Sequence, residues 1–100
     1  MRRDEAIAKL RATEPALRAH GVTALYLFGS HARDDAASDS DIDVFVDPAS
    51  GEYFGFLPFM QAYETIREAI GHDMEVGFST REGLDHYIRA NIEREAVRVF

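Results

Sequence analysis

The chain has 100 residues, of which 18 are acidic and 11 basic, so its formal net charge at pH 7 is −7. This length predicts one domain, residues 1–100, with a modest core. The lack of cysteine excludes disulfides and thiolate metal sites. No apolar run approaches the roughly 20 residues of a membrane span, and the N-terminus lacks a signal peptide, so we expect a cytoplasmic protein. Without a basic stripe, long nucleic acid is not an expected partner of this domain.

The first twenty residues predict two short helices. Pro15 is acceptable in the first turn of a helix and disruptive inside one, so it should open the second helix. Gly21 should end that helix. Leu10 and Leu17 belong to the apolar faces expected to pack on the core.

Short apolar runs at 24–28, 41–46 and 74–78 predict three strands. Apolar residues at helical spacing predict a helix over 56–70, ended by Gly71. Ser79 and Glu82 have the spacing of a capping box and predict a last helix. The apolar face of that helix comprises Leu84, Ile88, Ile92, Ala96 and Val99. The order helix, strand, short helical turn, strand, helix, strand, helix predicts an α/β (α+β) layer with helices packed on a mixed sheet.

The end of the first strand carries a pattern suited to phosphate binding. Gly29 and Ser30 follow an apolar strand and lead directly into a predicted helical turn. Backbone amides at such a turn, with the Ser30 hydroxyl, bind anionic phosphates. Gly29 leaves out a Cβ where the backbone must approach the ligand. Arg33 lies one turn further on and should support either the loop or the phosphates.

The second strand carries two carboxylates on one face. Asp41 and Asp43 are two residues apart on a strand, so both side chains point the same way. Their mutual repulsion favours a cation between them. Mg²⁺ suits this pair, because it binds few carboxylates and completes its shell with waters and phosphates. Such a pair can hold two metal ions about 3.5–4 Å apart for an in-line displacement at phosphorus.

A third carboxylate is expected from a neighbouring strand, and Glu75 is the candidate. It lies at the centre of 74–78 among apolar residues, where a charge is costly unless it faces a site or solvent. Glu75 could bind the catalytic metal and accept the proton of an attacking hydroxyl.

These residues resemble the signature of the DNA polymerase beta superfamily: Gly29 and Ser30, then Arg33, then Ser40, Asp41 and Asp43. The resemblance is nearest to the minimal nucleotidyltransferases that pair with HEPN proteins in toxin–antitoxin systems, and it spans nearly the whole chain. It implies the nucleotidyltransferase fold, a short mixed β-sheet with flanking helices. It also implies Mg²⁺-dependent transfer of a nucleoside monophosphate from ATP or another NTP to a hydroxyl, which in family antitoxins is a tyrosine of the HEPN toxin.

The resemblance also implies the roles of individual residues. Gly29 and Ser30, with Arg33 and Ser40, would bind the nucleotide, while Asp41, Asp43 and Glu75 would bind the metal ions and carry catalysis. The family usually has Asp at the position of Glu75, and often has Gly at the position of Asp34. Family members that act on small molecules or nucleic acids usually carry an acceptor-binding domain, for which this sequence has no room. A partner protein is therefore expected to bring the acceptor.

Several residues have a structural alternative. Arg33 is as well explained by a bridge to Asp41 or Asp43 as by substrate binding. Ser40 is better explained as orienting the start of the strand, and Asp39 as a solvated loop residue. The four histidines lack a metal-ligand spacing and should lie on the surface, although His31 sits within the phosphate-binding turn. An apolar patch should pack largely in the core, with some of it exposed for a partner: Phe54, Phe56, Phe59 and Met60.

Three functions remain open from the sequence. The first is an enzyme, an antitoxin that transfers AMP or another NMP to a HEPN toxin. The second is an antitoxin that neutralises the toxin by binding alone. The third is the catalytic subunit of a two-chain nucleotidyltransferase for small molecules. Pairing with a second copy of the chain is also open, as are the preferred nucleotide and the acceptor.

Overall fold

A computed structural model of the protein describes residues 1–37, 40–49 and 54–100. The elements follow in the order α1, α2, β1, β2, α3, β3, α4, β4. Their bounds are α1 Arg3–Arg11, α2 Glu14–Ala19, β1 Val22–Phe28, β2 Ile42–Pro48, α3 Phe56–Ile70, β3 Val76–Thr80, α4 His86–Glu95 and β4 Val97–Arg98.

The two N-terminal helices confirm the prediction from Pro15. α1 and α2 are separate, and Pro15 lies in the first turn of α2, where its missing N–H costs nothing. Gly21 follows α2 with a φ of +90°, a conformation that glycine adopts without strain. Leu10 and Leu17 are fully buried, so both helices contribute to the core.

The strands form one mixed sheet in the order β3-β2-β1-β4. β1 runs antiparallel to both of its neighbours, β2 and β4, and β2 runs parallel to β3. The expectation of a mixed sheet with flanking helices is therefore confirmed. β2 lies between β1 and β3. The end of β1 and the start of β3 therefore flank the start of β2, just after Asp41.

The two faces of the sheet have different surroundings. Alternate residues of β1 and β2 point into the core formed with α1, α2 and α3: Leu25, Leu27, Ile42, Val44 and Val46. The other face carries Tyr26 and Phe45, whose rings stack with centroids 4.8 Å apart. The Arg81 guanidinium lies 4.9 Å from the centroid of each ring and donates to Glu93 of α4. Helix α4 therefore lies on this second face.

The C-terminal region differs from the sequence prediction. Val97 and Arg98 were expected to continue the last helix, but α4 ends at Glu95 and they pair with Leu27 and Tyr26 as β4. Ala96 is extended, with φ −65° and ψ 142°. A short apolar run fits either a helix or a strand, and here pairing with the free edge of β1 decides.

The third strand and the beginning of α4 also lie further along the chain than predicted. β3 spans Val76–Thr80, so Ser79 belongs to a strand and cannot cap a helix. Its hydroxyl donates to the carbonyl of Thr80 at 2.8 Å. The side chain of Asp85 caps α4 instead, by accepting from the amide of Tyr87 at 2.9 Å.

Within the described ranges, no helix has both the length and the apolar character that crossing a membrane requires.

The stability of the fold should depend on the interface between α3 and the sheet. Ile66 on α3 is fully buried, and we expect Ile66→Ala to lower the free energy of unfolding by about 2–5 kcal/mol, because it leaves a cavity. Ile88→Ala, at a position 49% exposed on α4, should change it by less than about 0.5 kcal/mol. Urea denaturation followed by circular dichroism measures both values, and equal losses would contradict this account of the core.

Candidate nucleotide and metal site

The segment after β1 forms a single hydrogen-bonded turn. Gly29 has a φ of +76°, and its carbonyl accepts from the amide of Arg33 at 3.2 Å. The amide of Asp35 donates to the carbonyl of Ser30 at 3.0 Å. The sequence predicted a helical turn, and the turn forms, but it does not extend into a helix. Asp34 takes a φ of 59°, so the position where the family often has Gly keeps the conformation that glycine favours.

The backbone amides of this turn divide into two groups. Gly29 N donates to the Glu95 Oε1 at 3.2 Å. Within the part of the chain that the structure describes, the amides of Ser30, His31 and Ala32 donate to no protein acceptor. Three consecutive N–H groups without acceptors form a local concentration of donors suited to an anion.

The carboxylate of Asp43 lies in a slot between two glycines. Asp43 is paired in register with Phe28 on β1 and with Gly77 on β3. A Cβ added at Gly29 would lie 2.5 Å from Asp43 Oδ2, and one added at Gly77 would lie 2.7 Å from Oδ1. The fold thus brings the Asp43 carboxylate directly beside the turn that begins at Gly29. Any side chain at either glycine would displace the carboxylate.

Asp43 is held in an environment that disfavours its charge. Partial burial raises the pKa of the Asp43 carboxyl above its ordinary value, and the neighbouring Asp41 carboxylate raises it further. His31 and Arg33 lower that pKa, without offsetting the rise. A cation beside Asp43 would stabilise its charged form, as the spacing of Asp41 and Asp43 suggested.

The backbone of Glu75 lies beside that of Asp41, but the residue is exposed and not buried. Its carbonyl accepts from the amide of Ile42 at 2.9 Å, which places its backbone beside that of Asp41. The expectation that Glu75 sits in the middle of a strand is wrong, because it precedes β3 and is exposed. The cost of burying its charge therefore gives no reason to assign it to the site. A role for Glu75 as metal ligand and base stays a prediction from the resemblance.

The donor set fits a magnesium ion supported by a substrate. Across residues 1–37, 40–49 and 54–100, no three His, Asp or Glu side chains converge closely enough to hold a metal ion by themselves. Asp43 lies on β2, whereas Asp41 immediately precedes the strand instead of beginning it as predicted. Both supply hard oxygen donors, and the turn that begins at Gly29 adjoins Asp43. Mg²⁺ commonly binds through one or two carboxylates and completes its shell with waters and phosphates. The pair would therefore hold the ion together with the nucleotide.

Arg33 and Ser40 both have protein partners. Arg33 Nη1 donates to Glu95 Oε2 at 3.0 Å, and Arg33 Nε donates to Asp35 Oδ2 at 3.2 Å. The predicted alternative of a bridge to Asp41 or Asp43 is not formed. The hydroxyl of Ser40 accepts from the amide of Ala37 at 2.9 Å and closes the turn before β2. Nucleotide contacts of Arg33 and Ser40 stay predictions. Asp39 lies outside the described residues.

His31 departs from the expected surface location. Its side chain is completely buried, and Nδ1 lies 3.0 Å from the carbonyl oxygen of Asp41. Because a carbonyl only accepts, Nδ1 carries the proton of this hydrogen bond. Nε2 is buried without a partner in the described chain. His31 thus links the turn after β1 to the backbone just before β2. His72 and His86 are exposed as expected.

Two contributors to the site were missed from the sequence. Gly77 carried a signal, because a glycine inside a strand often marks a close approach of another group. Glu95 carried none, since it lies 66 residues after Gly29 and only the packing of α4 brings it to the turn.

The comparisons with known proteins agree with this geometry. A family model described as "Nucleotidyltransferase domain" matches residues 10–99. The chain belongs to this nucleotidyltransferase family. It is similar to two proteins of Methanocaldococcus jannaschii that are named as candidate protein adenylyltransferases. One is 28% identical over 78% of this chain and 77% of the relative, and the other is 31% identical over 85% and 87%.

Solved structures give the same assignment of fold. A structure described as a candidate minimal nucleotidyltransferase is 27% identical, with a TM-score of 0.77 over 97% of this chain and 95% of that one. A toxin–antitoxin crystal structure with AMP-PNP is 17% identical, with a TM-score of 0.65 over all of this chain and 73% of that one. The second likeness concerns the fold alone. The protein is an enzyme of the nucleotidyltransferase type, as the motif predicted.

Gly77 should be required for the site although it has no functional group. We expect Gly77→Ala to reduce nucleotidyl transfer by about 10- to 100-fold, because the added Cβ pushes the Asp43 carboxylate out of its position. Ser79→Ala, on the same face of β3, should retain activity. Transfer of label from α-labelled ATP measures both variants, with circular dichroism to check the fold. Full activity of Gly77→Ala would show that the slot is not needed.

Neutralising Asp43 should stabilise the folded chain at neutral pH. A carboxyl whose pKa is raised on folding binds protons more tightly in the folded state, so the free energy of unfolding falls as pH rises through its raised pKa. We expect Asp43→Asn to raise the urea midpoint at pH 7, and the gain to shrink toward pH 4. Asp85→Asn, at the exposed cap of α4, should give no such gain. A lower urea midpoint for Asp43→Asn at pH 7 would contradict a destabilising charge at Asp43.

Proposed function

We propose that this nucleotidyltransferase transfers AMP from ATP, with Mg²⁺, to a hydroxyl of a HEPN-family toxin and thereby acts as its antitoxin. The observation that carries the proposal is the Asp43 carboxylate between Gly29 and Gly77. This carboxylate lies directly beside a turn in which, among the described residues, the amides of Ser30, His31 and Ala32 have no protein acceptor. A phosphate group on that turn and a magnesium ion on Asp43 would be neighbours.

In the proposed reaction, the acceptor hydroxyl oxygen attacks the α-phosphorus of ATP. The bond between the α-phosphorus and the bridging oxygen breaks, and pyrophosphate leaves. The amides of Ser30, His31 and Ala32 bind phosphate oxygens of the leaving group. Asp41 and Asp43 would hold Mg²⁺, which when bound would supply positive charge to the phosphoryl oxygens. Glu75, exposed beside Asp41, accepts the hydroxyl proton.

The choice of acceptor rests on the relatives. Both archaeal relatives are named as candidate protein adenylyltransferases, which supports ATP as donor and a protein as acceptor. A neighbour in structure is a toxin–antitoxin crystallised with AMP-PNP, which supports a toxin as that protein. The HEPN identity of the toxin comes from the resemblance of the motif at Gly29, Ser30, Asp41 and Asp43. On this proposal the toxin supplies the acceptor hydroxyl, and residues 1–100 act as one catalytic domain.

Transfer to the toxin is the direct test. The purified protein, α-labelled ATP, Mg²⁺ and the HEPN-type protein encoded beside it should yield a labelled toxin that has lost its toxicity. Asp41→Asn with Asp43→Asn should abolish labelling, as should EDTA. Asp73→Asn with Asp85→Asn, which removes two exposed acidic residues elsewhere, is the matched control and should label normally. Equal labelling by the Asp41 and Asp43 double variant would refute the assignment of the carboxylates.

An antitoxin that acts by binding alone is the second candidate. It is supported by the exposed apolar start of α3, where Phe56 is 78% and Leu57 64% exposed, next to the partly exposed Met60. Phe59, on the same helix, instead packs against Phe54 and Phe78. The predicted patch is therefore divided between packed and exposed residues. Exposed apolar side chains in this number favour a protein contact.

The two candidates make opposite predictions for the double variant of Asp41 and Asp43. If binding alone neutralises the toxin, Phe56→Glu with Leu57→Glu should abolish protection of cells, and Asp41→Asn with Asp43→Asn should preserve it. If transfer neutralises the toxin, the carboxylate variant should fail to protect. Growth of cells that express the toxin with each variant distinguishes the outcomes. Gln61→Glu with Thr65→Glu adds the same two negative charges further along α3 and tests for a general effect of changed charge.

A further inference from the structure

We propose that Glu95 is a positioning residue for the phosphate-binding turn, and that it restrains Arg33 so that the guanidinium does not pair with the metal-binding carboxylates. The inference rests on the proposed function in taking ATP and Mg²⁺ as the ligands of this turn. It assigns to the end of α4, far from the sequence motif, control over the geometry of the motif.

The location of Glu95 is determined by the elements on both sides of it. It is the last residue of α4, and the chain then becomes extended at Ala96 and pairs with β1 as β4. Ile92, one turn earlier, is buried. Glu95 is thus anchored by a packed helix on one side and by sheet hydrogen bonds on the other. Its side chain is 31% exposed, so it is not free in solvent.

Glu95 uses its two carboxylate oxygens on two different parts of the turn. Oε1 accepts from the backbone amide of Gly29 at 3.2 Å, and Oε2 accepts from Nη1 of Arg33 at 3.0 Å. Gly29 is the residue whose missing Cβ leaves room for the Asp43 carboxylate. A shift of Gly29 would therefore alter the slot directly. The hydrogen bond to its amide keeps Gly29, the first residue of the turn, beside the Asp43 carboxylate.

The two hydrogen bonds of Glu95 occupy two donors, Gly29 N and Arg33 Nη1, that could otherwise bind a phosphate or a carboxylate of the site. With Gly29 N engaged, the donors left to a phosphate within the described turn are the amides of Ser30, His31 and Ala32. Arg33, which the sequence assigned to the phosphates or to the aspartates, is held by Glu95 and Asp35 instead. Arg33 and Glu95 act on Asp43 with opposite electrostatic sign. Removing Glu95 would leave a nearby cation able to take the place of Mg²⁺ at Asp43.

α4 offers a matched comparison at Glu93. This carboxylate also binds an arginine, Arg81, which directly follows β3; Nη1 of Arg81 lies 2.5 Å from its Oε2. Arg81 is in turn bound through two hydrogen bonds to Asp47 at 2.8 and 2.9 Å. Glu93 and Glu95 thus have the same residue type, the same helix and the same kind of partner. Only Glu95 reaches the turn, so a general effect on α4 should appear equally in both variants.

Binding of ATP with Mg²⁺, followed by calorimetry, is the first measurement. We expect Glu95→Ala to weaken binding by about 10- to 100-fold and to raise the KM for ATP with a smaller change in kcat. Glu95→Gln, which keeps an oxygen for Gly29 N but loses the charge that holds Arg33, should lie between wild type and Glu95→Ala. Arg33→Ala added to Glu95→Ala should restore part of the lost affinity, because the freed guanidinium is gone. Glu93→Ala should bind like wild type.

Hydrogen exchange of the Gly29 amide is the second measurement and needs no ligand. In the wild-type chain this amide should exchange more slowly than those of Ser30 and His31, and Glu95→Ala should abolish the difference. If wild type fails to bind ATP with Mg²⁺, the proposed function fails, while the exchange result still decides whether Glu95 holds the turn. Wild-type affinity in Glu95→Ala, or equal losses in Glu93→Ala and Glu95→Ala, would overturn the inference.

Discussion

The packing of a single carboxylate between two glycines is the constraint on which the site depends. Asp43 sits on β2, flanked by Gly29 at the end of β1 and by Gly77 on β3. The slot needs all three strands in register, because a shift of one residue would send the side chain to the other face of the sheet. The antiparallel pairing of β1 with β2 and the parallel pairing of β2 with β3 therefore determine where the Asp43 carboxylate lies.

The two faces of the sheet separate stability from chemistry. One face buries aliphatic side chains against α1, α2 and α3. On the other face, Arg81 binds Asp47 near the end of β2 and covers the stacked rings of Tyr26 and Phe45, while the Asp43 carboxylate lies near the start of β2. Charge is disfavoured at Asp43, where burial and Asp41 raise its pKa. On the proposed function, the stability lost there would be exchanged for affinity toward a metal and its nucleotide.

Two glutamates of α4 bind arginines near opposite ends of β2. Glu93 reaches Arg81 beside the aromatic stack, and Glu95 reaches Arg33 and Gly29 at the turn. The helix is capped by Asp85 at one end and leads into β4 at the other, so both carboxylates are presented from one rigid element. A site built this way can be sensitive to anything that moves α4 relative to β1.

The sequence by itself determined the elements whose signals are local. Pro15 opened α2, Gly71 ended α3, and the motif from Gly29 to Asp43 identified both the family and the pair of carboxylates. Positions that depend on contacts far along the chain could not be derived from periodicity. Val97 and Arg98 form a strand because they pair with the edge of β1. Glu75 is exposed and precedes β3, which begins at Val76. The slot around Asp43 and the hold of Glu95 on Gly29 exist only in the tertiary structure, since strand register and helix packing bring together residues that no local pattern connects.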